Sequence, residues 1–174
     1  MNKIYKVGLI GCGHISETYF RAHEYFKNFK VIKCADIKES ASKNCASLYN
    51  IESVSVDDLL ADNQIEVILN LTTPQAHYEV TKKTLLAGKH SYCEKPLSTK
   101  FENGQELVNL AKEKNLYLGN GPDTFLGAGS QKSRQLIDSG LVGDIKLGNA
   151  IFAFPGVQSY HPDPEPWFQK NGGG

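Results

Sequence analysis

The ten residues VGLIGCGHIS at positions 7–16 constrain the fold more than any other part of the chain. An apolar run over 4–10 predicts a buried strand, and two glycines then turn the chain into a helix. Gly11 permits a tight turn, and Gly13 lets a ligand approach the backbone closely. Main-chain N–H groups at such a turn and helix start attract anions, so the stretch predicts a pyrophosphate site. The residues predicted to contact that ligand are Gly11, Gly13, His14 and Ile15.

An acidic residue follows at the spacing that this type of turn requires. Ser16 occupies the third small position of the pattern G-x-G-x-x-G, where serine should loosen the helix–strand packing only slightly. A second apolar run, 31–35, ends in Asp36, which lies 20 positions after Ser16. An acid at that place accepts hydrogen bonds from an adenosine ribose, and its charge repels the 2′-phosphate of NADP. The pattern therefore favours NAD, while Lys38 leaves NADP open. The alternative is a glycine hairpin with an unrelated surface aspartate.

Apolar runs and helical patterns alternate six times along the chain, which predicts a Rossmann-type doubly wound parallel sheet of the α/β class. The strand order 3-2-1-4-5-6 is expected, with ligands at the carboxyl ends of the strands. Residues 1–122 should form this NAD(P)-binding domain. Residues 123–174 should begin an incomplete α+β substrate domain, because an apolar run over 144–154 reads as a first strand without partners. Helices are predicted over 15–27, 39–49 and 130–139, and a strand over 90–93. Thr73 and Pro74 should begin a further helix, with Thr73 at the N-cap and Pro74 at N1. Two other helix starts are predicted, one with Asp57 or Asp58 at the N-cap and one with a capping box of Thr99 and Glu102.

Composition excludes several classes of protein. The chain has 19 basic and 19 acidic residues and no run of like charge, so neither nucleic acid nor a membrane surface is an expected partner. No apolar segment approaches the length of a membrane span, and the glycine-interrupted N-terminus is not a signal peptide. Four cysteines without a C-x-x-C pair indicate reduced thiols in a cytoplasmic protein, although Cys12 can also be read as an exposed thiol. The sequence suggests no metal site.

Three loops at the predicted carboxyl edge carry the side chains that can do chemistry. They are the glycine turn, the loop Thr72-Thr73-Pro74 and the loop Glu94-Lys95-Pro96. Asp36 and Lys95 should lie about three strand spacings apart, about 14 Å, which an extended dinucleotide spans. Lys95 is thereby placed where hydride transfer would occur, and it can stabilise negative charge on a substrate oxygen. The alternative, which the spacing supports equally well, is that Lys95 is a surface lysine that forms an ion pair with Glu94.

These motifs resemble those of the Gfo/Idh/MocA family, the relatives of glucose–fructose oxidoreductase and inositol dehydrogenase. The similarity rests on GLIGCG at 8–13, TTPQAH at 72–77 and CEKPL at 93–97. The resemblance implies a Rossmann domain followed by an open β-sheet domain, and oxidation or reduction of a carbinol or carbonyl group on sugars, polyols or related molecules with NAD or NADP. It implies that Lys95 is catalytic and that Pro96 directs it. It further implies a cofactor-lining set of Thr72, Thr73, Pro74, His77, Glu94 and Trp167.

The departure from the family pattern also carries a prediction. In the family, a glycine-rich stretch like 172–174 leads into a helix whose Asp and His complete the catalytic set, and this sequence stops before it. We therefore expect a truncated NAD(P)-dependent oxidoreductase that binds its cofactor but transfers hydride poorly or not at all. Purely local roles remain open for His77, Asp123 and Trp167. The alternative function is a non-catalytic dinucleotide-sensing or interaction module, and homo-oligomerisation is also open.

Overall fold

The structure is a computed structural model that describes residues 3–22, 25–122, 124–156 and 159. The chain divides into two compact units, Met1–Gly121 and Pro122–Gly174. None of the helices in the described ranges is long and apolar enough to span a membrane. Those ranges also contain no group of three or more His, Cys, Asp or Glu side chains arranged to hold a metal ion.

The first unit is built on a six-stranded sheet in which every neighbouring pair is parallel. Its strand order is β3-β2-β1-β4-β5-β6, which confirms the predicted topology. Parallel pairing forces each connection to cross from one edge of the sheet to the other, and helices make these crossings. The strands are β1 (Tyr5–Ile10), β2 (Phe29–Ala35), β3 (Glu52–Ser53), β4 (Val67–Asn70), β5 (His90–Cys93) and β6 (Leu118–Asn120).

Helices cover both faces of this sheet, because successive side chains of a strand point to opposite sides. Leu9 and Leu69 belong to one buried cluster, and their neighbours Ile10 and Ile68 belong to another. A third cluster packs Leu85 against two residues of the following helix. The helices of the first unit are α1 (Ser16–Arg21), α2 (Glu39–Tyr49), α3 (Val56–Ala61), α4 (Pro74–Leu86) and α5 (Phe101–Glu113).

The register of the sheet aligns the carboxyl ends of five strands in one row. Ile10 of β1 pairs with Ala35 on one side and with Asn70 on the other. Asn70 pairs in turn with Cys93, and Cys93 pairs with Asn120. The loops that follow β1, β2, β4 and β5 therefore leave the sheet side by side.

The first helix is shorter than predicted. Residues 15–27 were expected to be helical, but α1 ends at Arg21 and Ala22 is its C-cap. The predicted helix included Phe26. Phe26 is instead exposed and stacks on Phe29 at a ring-centroid distance of 6.4 Å, in the turn that leads into β2.

Two predicted helix caps are also wrong. Ser55, not Asp57 or Asp58, caps α3, and its hydroxyl accepts a hydrogen bond from the N–H of Asp58 at 3.0 Å. Helix α5 begins one residue later than the proposed capping box requires. Lys100 is its N-cap and makes no side-chain cap bond, so Thr99 lies outside the helix. A capping box needs the hydroxyl residue at the N-cap itself.

The second unit contains a short 3₁₀ turn (Thr124–Leu126) and α6 (Ala128–Asp138). The predicted strand over 144–154 is not formed: among the described residues, 144–156 pair with no other strand. A strand exists only through hydrogen bonds to a neighbouring strand. The apolar side chains of this segment are consequently exposed, including Leu147 and Phe152.

A pair of glycine substitutions tests the packing of the first turn. Gly11 has φ +102°, and an added Cβ would lie 2.6 Å from the carbonyl of Leu71. At Gly13, by contrast, a Cβ would meet nothing within 4 Å. We expect Gly11→Ala to lower the free energy of unfolding by about 3 kcal/mol or more, through strain and collision with backbone. Gly13→Ala should change it by less than about 1 kcal/mol.

Urea unfolding followed by circular dichroism measures both variants. Equal stability of the two proteins would show that β1 and the chain after β4 do not approach as closely as described.

Candidate functional site: the carboxyl edge of the sheet

The glycine turn is tied to the end of β2 by a backbone hydrogen bond and closed by a serine side chain. The N–H of Gly11 donates to the carbonyl of Ala35 at 2.9 Å, and the Ser16 hydroxyl donates to the carbonyl of Gly13 at 2.7 Å. Ser16 is buried, so the serine at the third small position closes the turn as well as packing beneath it. His14 and Ile15 are exposed on the outside of this turn.

Cys12 is not the exposed thiol that one interpretation of the sequence allowed. It is buried with Cys34 and Cys93, while Cys45 is half-buried, and all four are free thiols. The adjacent Cys34 thiol, and then burial, raise the pKa of Cys12. Burial raises the pKa of Cys93 to about 12. A thiol that stays protonated at neutral pH is a poor nucleophile, so Cys12 and Cys93 serve packing.

Asp36 connects the end of β2 to the glycine turn. Its Oδ2 accepts a hydrogen bond from the N–H of Cys12 at 2.7 Å, and its Oδ1 accepts one from the N–H of Lys38 at 2.8 Å. A carboxylate offers about four acceptor positions, so each oxygen keeps capacity for a further donor such as a ribose hydroxyl. Asp36 therefore shapes the turn and remains able to bind a ligand.

The loop after β4 is organised by Asn70, which is fully buried. Its Nδ2 donates to the carbonyl of His77 and to the hydroxyl of Thr81, both at 3.0 Å. Its Oδ1 accepts from the Thr72 hydroxyl at 2.6 Å and from the Thr72 N–H at 3.3 Å. Asn70 was not predicted as a site residue, because it lies at the end of an otherwise apolar run. A polar residue at the end of a buried strand was the sequence feature that could have indicated its role.

Helix α4 begins as predicted, with Thr73 at the N-cap and Pro74 at N1. The side chain of Thr73 makes no capping bond. Thr73 is exposed, and Thr72 and Pro74 are half-buried.

His77 does not lie on the open surface of this loop. The residue is only 1% exposed, and its predicted contact with a cofactor stays a prediction. The ring bridges two loops instead: Nδ1 is 2.5 Å from the carbonyl oxygen of Pro96, and Nε2 is 3.0 Å from that of Thr72. His77 thus joins the loop after β4 to the loop after β5.

The backbone of the loop after β5 is held from both sides. The N–H of Glu94 donates to the carbonyl of Asn70 at 2.9 Å. On the other side, Nδ2 of Asn120 donates to the carbonyls of Cys93 and Glu94, at 2.9 and 3.1 Å. The Lys95–Pro96 peptide bond is cis.

The Glu94 carboxylate is oriented by two donors. The hydroxyl of Tyr19 on α1 donates to Oε1 at 2.6 Å, and the N–H of Lys95 donates to Oε2 at 3.0 Å. Burial, and next the adjacent carboxylate, raise the pKa of the Tyr19 phenol, so it remains a protonated donor. Sequence reasoning missed Tyr19, since an aromatic residue on an amphipathic helix is typical of core packing.

The structure brings most of the predicted site residues to one edge of the sheet. The glycine turn, Asp36, the loop 72–74 and the pair Glu94–Lys95 follow neighbouring strands, and Lys95 is exposed there. Asp123 and Trp167 lie outside the described residues.

A parallel sheet in this order, with a glycine turn after β1 and an acid after β2, defines a dinucleotide-binding α/β domain. The comparisons with known proteins specify the class further. The chain belongs to the Gfo/Idh/MocA family, because the family described as "Oxidoreductase family, NAD-binding Rossmann fold" matches residues 5–121. That family binds NAD.

Individual relatives agree with this assignment. An uncharacterised oxidoreductase of Schizosaccharomyces pombe is 35% identical over 105 residues, covering 60% of this chain and 28% of that protein. The inositol 2-dehydrogenase/D-chiro-inositol 3-dehydrogenase of Lactiplantibacillus plantarum is 28% identical over 112 residues, covering 62% of this chain and 32% of that protein. The WlbA dehydrogenase of Chromobacterium violaceum, solved with NADH and UDP-GlcNAcA, superposes with a TM-score of 0.75 at 25% identity.

The match extends over less than half of each relative. It covers 82% of this chain but 42% of the WlbA dehydrogenase chain. In the curated relatives described above it covers about a third.

Asn70→Ala tests whether the buried amide organises the loops. The substitution leaves the carbonyl of His77 and both donors of Thr72 without their partner, so we expect the free energy of unfolding to fall by about 2–4 kcal/mol. Asn109→Ala, on the exposed face of α5, is the matched control and should change it by less than about 0.5 kcal/mol. Chemical denaturation measures both, and similar small losses would contradict the role given to Asn70.

Proposed function

We propose that this chain binds NAD along the carboxyl edge of its sheet and belongs to an oxidoreductase that acts on a carbinol or carbonyl group of a sugar, polyol or related molecule. The observation that carries the proposal is the alignment of Asp36, the glycine turn and Lys95 at the ends of adjacent strands. The relatives named for inositol dehydrogenase activity and for a UDP-sugar complex support the substrate class. We assign the protein to the cytoplasm, where nicotinamide nucleotides are available.

The residues present fit an extended dinucleotide. A Cβ at Gly13 would meet nothing within 4 Å, so the backbone there is open to a pyrophosphate. Asp36 retains acceptor capacity for the adenosine ribose hydroxyls. On the other side of β1, the exposed Thr73 and the half-buried Thr72 and Pro74 would line the nicotinamide half, and Glu94 would accept from its ribose.

Lys95 is proposed as the residue that acts on the substrate. Nicotinamide, when bound, supplies the hydride acceptor or donor. The Lys95 ammonium would donate a hydrogen bond to the substrate oxygen and stabilise the negative charge that develops on it. His77 and Asn120 would act indirectly, by holding the backbone on either side of Lys95. Because the chain spans less than half of the WlbA dehydrogenase, we expect the 174 residues to bind cofactor but to transfer hydride slowly or not at all.

Isothermal titration calorimetry with NAD and NADP tests cofactor binding. We expect NAD to bind and NADP to bind at least about tenfold more weakly, because the 2′-phosphate would meet the Asp36 carboxylate. Gly13→Ala should weaken NAD binding by about tenfold or more, since its methyl group occupies the approach to the turn. The stability of this variant, measured in parallel, is the control. A wild-type chain with no affinity for either nucleotide would refute the proposal.

Lysine acylation tests the position of the nicotinamide half. An amine-acylating reagent, followed by peptide mass spectrometry, should modify Lys95 more slowly once NAD is bound, because the cofactor covers it. Lys112 is the control: α5 starts at the carboxyl edge and crosses to the other edge, so its last turn lies away from the site. Protection of Lys112 to the same degree as Lys95, or no protection of Lys95, would contradict this arrangement.

A further inference from the structure

We propose that Tyr19 is a positioning residue that orients the Glu94 carboxylate for the nicotinamide half of the cofactor. The inference rests on the proposed function and adds a residue that no motif of the sequence contains. It begins from the 2.6 Å hydrogen bond between the Tyr19 hydroxyl and Glu94 Oε1, which joins two elements 75 residues apart in sequence.

This hydrogen bond connects the helix after the glycine turn to the loop that carries Lys95. Tyr19 lies in α1, which starts three residues after Gly13, and Glu94 directly follows β5. The ring of Tyr19 packs beside that of Tyr92, with centroids 6.1 Å apart, and both rings pack against the buried cluster around Leu9. The phenol is therefore held by the core and not by its hydrogen bond alone.

The Glu94 carboxylate needs a donor from another element, such as the Tyr19 hydroxyl, because its other contact comes from the adjacent residue in the chain. Oε2 accepts the N–H of Lys95, the next residue in the chain, and this contact leaves Oε1 without a donor of its own. Without the Tyr19 hydroxyl, the Glu94 side chain would regain rotameric freedom next to Lys95 in the chain. With it, the carboxylate is oriented before a ligand arrives and keeps acceptor capacity for ribose hydroxyls.

The chain holds its two edge carboxylates in the same way. Asp36 is fixed by the N–H of Cys12 from the glycine turn and by the N–H of Lys38 in its own loop. Glu94 is fixed by Tyr19 from α1 and by the N–H of Lys95 in its own loop. The segment after β1 thus supplies one donor to each carboxylate, and the two acids lie on opposite sides of that segment.

The test compares two ligands that occupy different parts of the site. ADP engages only the glycine turn and Asp36, whereas NAD also reaches Glu94. We expect Tyr19→Phe to weaken NAD binding by about five- to tenfold while ADP binding stays within about twofold of wild type. The phenylalanine keeps the ring packing and removes only the donor.

Tyr78→Phe is the matched control. Its hydroxyl also donates to a glutamate at 2.6 Å, Glu106, but on the exposed surface between α4 and α5. This variant should bind both ligands like the wild-type chain. Gly13→Ala should weaken both ligands together, which distinguishes a defect of the turn from a defect at Glu94.

A double-mutant cycle shows whether Tyr19 acts through Glu94. In the Glu94→Ala background, Tyr19→Phe should cause no further loss of NAD affinity. Additive losses, an unchanged NAD affinity in Tyr19→Phe, or an equal loss of ADP and NAD affinity would each overturn the proposal. In contrast, failure of the wild-type chain to bind NAD would refute the proposed function itself.

Discussion

The close approach of β1 and β4 at their carboxyl ends is the constraint on which the site depends. At Gly11 the two backbones lie so near that a Cβ would be 2.6 Å from the carbonyl of Leu71, and the N–H of Leu71 donates to the carbonyl of Ile10 at 2.8 Å. Strands β1 and β4 can therefore stay paired up to the point where the backbone leaves each strand. Because Gly11 has no side chain, the exposed part of the turn at Gly13 and the loop after β4 leave the sheet side by side.

Polar side chains then fix the loops that emerge from this edge; Asn70 and His77 are buried, whereas Asn120 is exposed. Asn70 and Asn120 bind loop backbone, and His77 bridges the carbonyls of Thr72 and Pro96. Leaving Asn70 or His77 unpaired in the interior would cost stability, so the contacts of these two residues specify one arrangement of the loops. The backbone on either side of Lys95 is thereby held at the sheet edge.

Much of this architecture was predictable because it depends on short-range patterns. The bounds of α2 and β5 agree with the predicted 39–49 and 90–93. The parallel sheet follows from the alternation of strands and helices, and its observed order is the one expected for a glycine turn after β1 with an acid after β2. The errors occur where a local pattern had two solutions. Thr99 with Glu102 resembles a capping box, but the helix begins at Phe101, and the apolar residue Phe26 belongs to a turn and not to α1.

By itself, the sequence determined the fold class, the glycine turn, the acid after β2 and the loop with Lys95. These features are encoded by residues close together in the chain and by their periodicity. Only the tertiary structure decided that His77 is buried between two carbonyls and that Tyr19 reaches Glu94. Both contacts depend on the distance between separate crossover elements once they have packed on the sheet, and no local pattern encodes that distance.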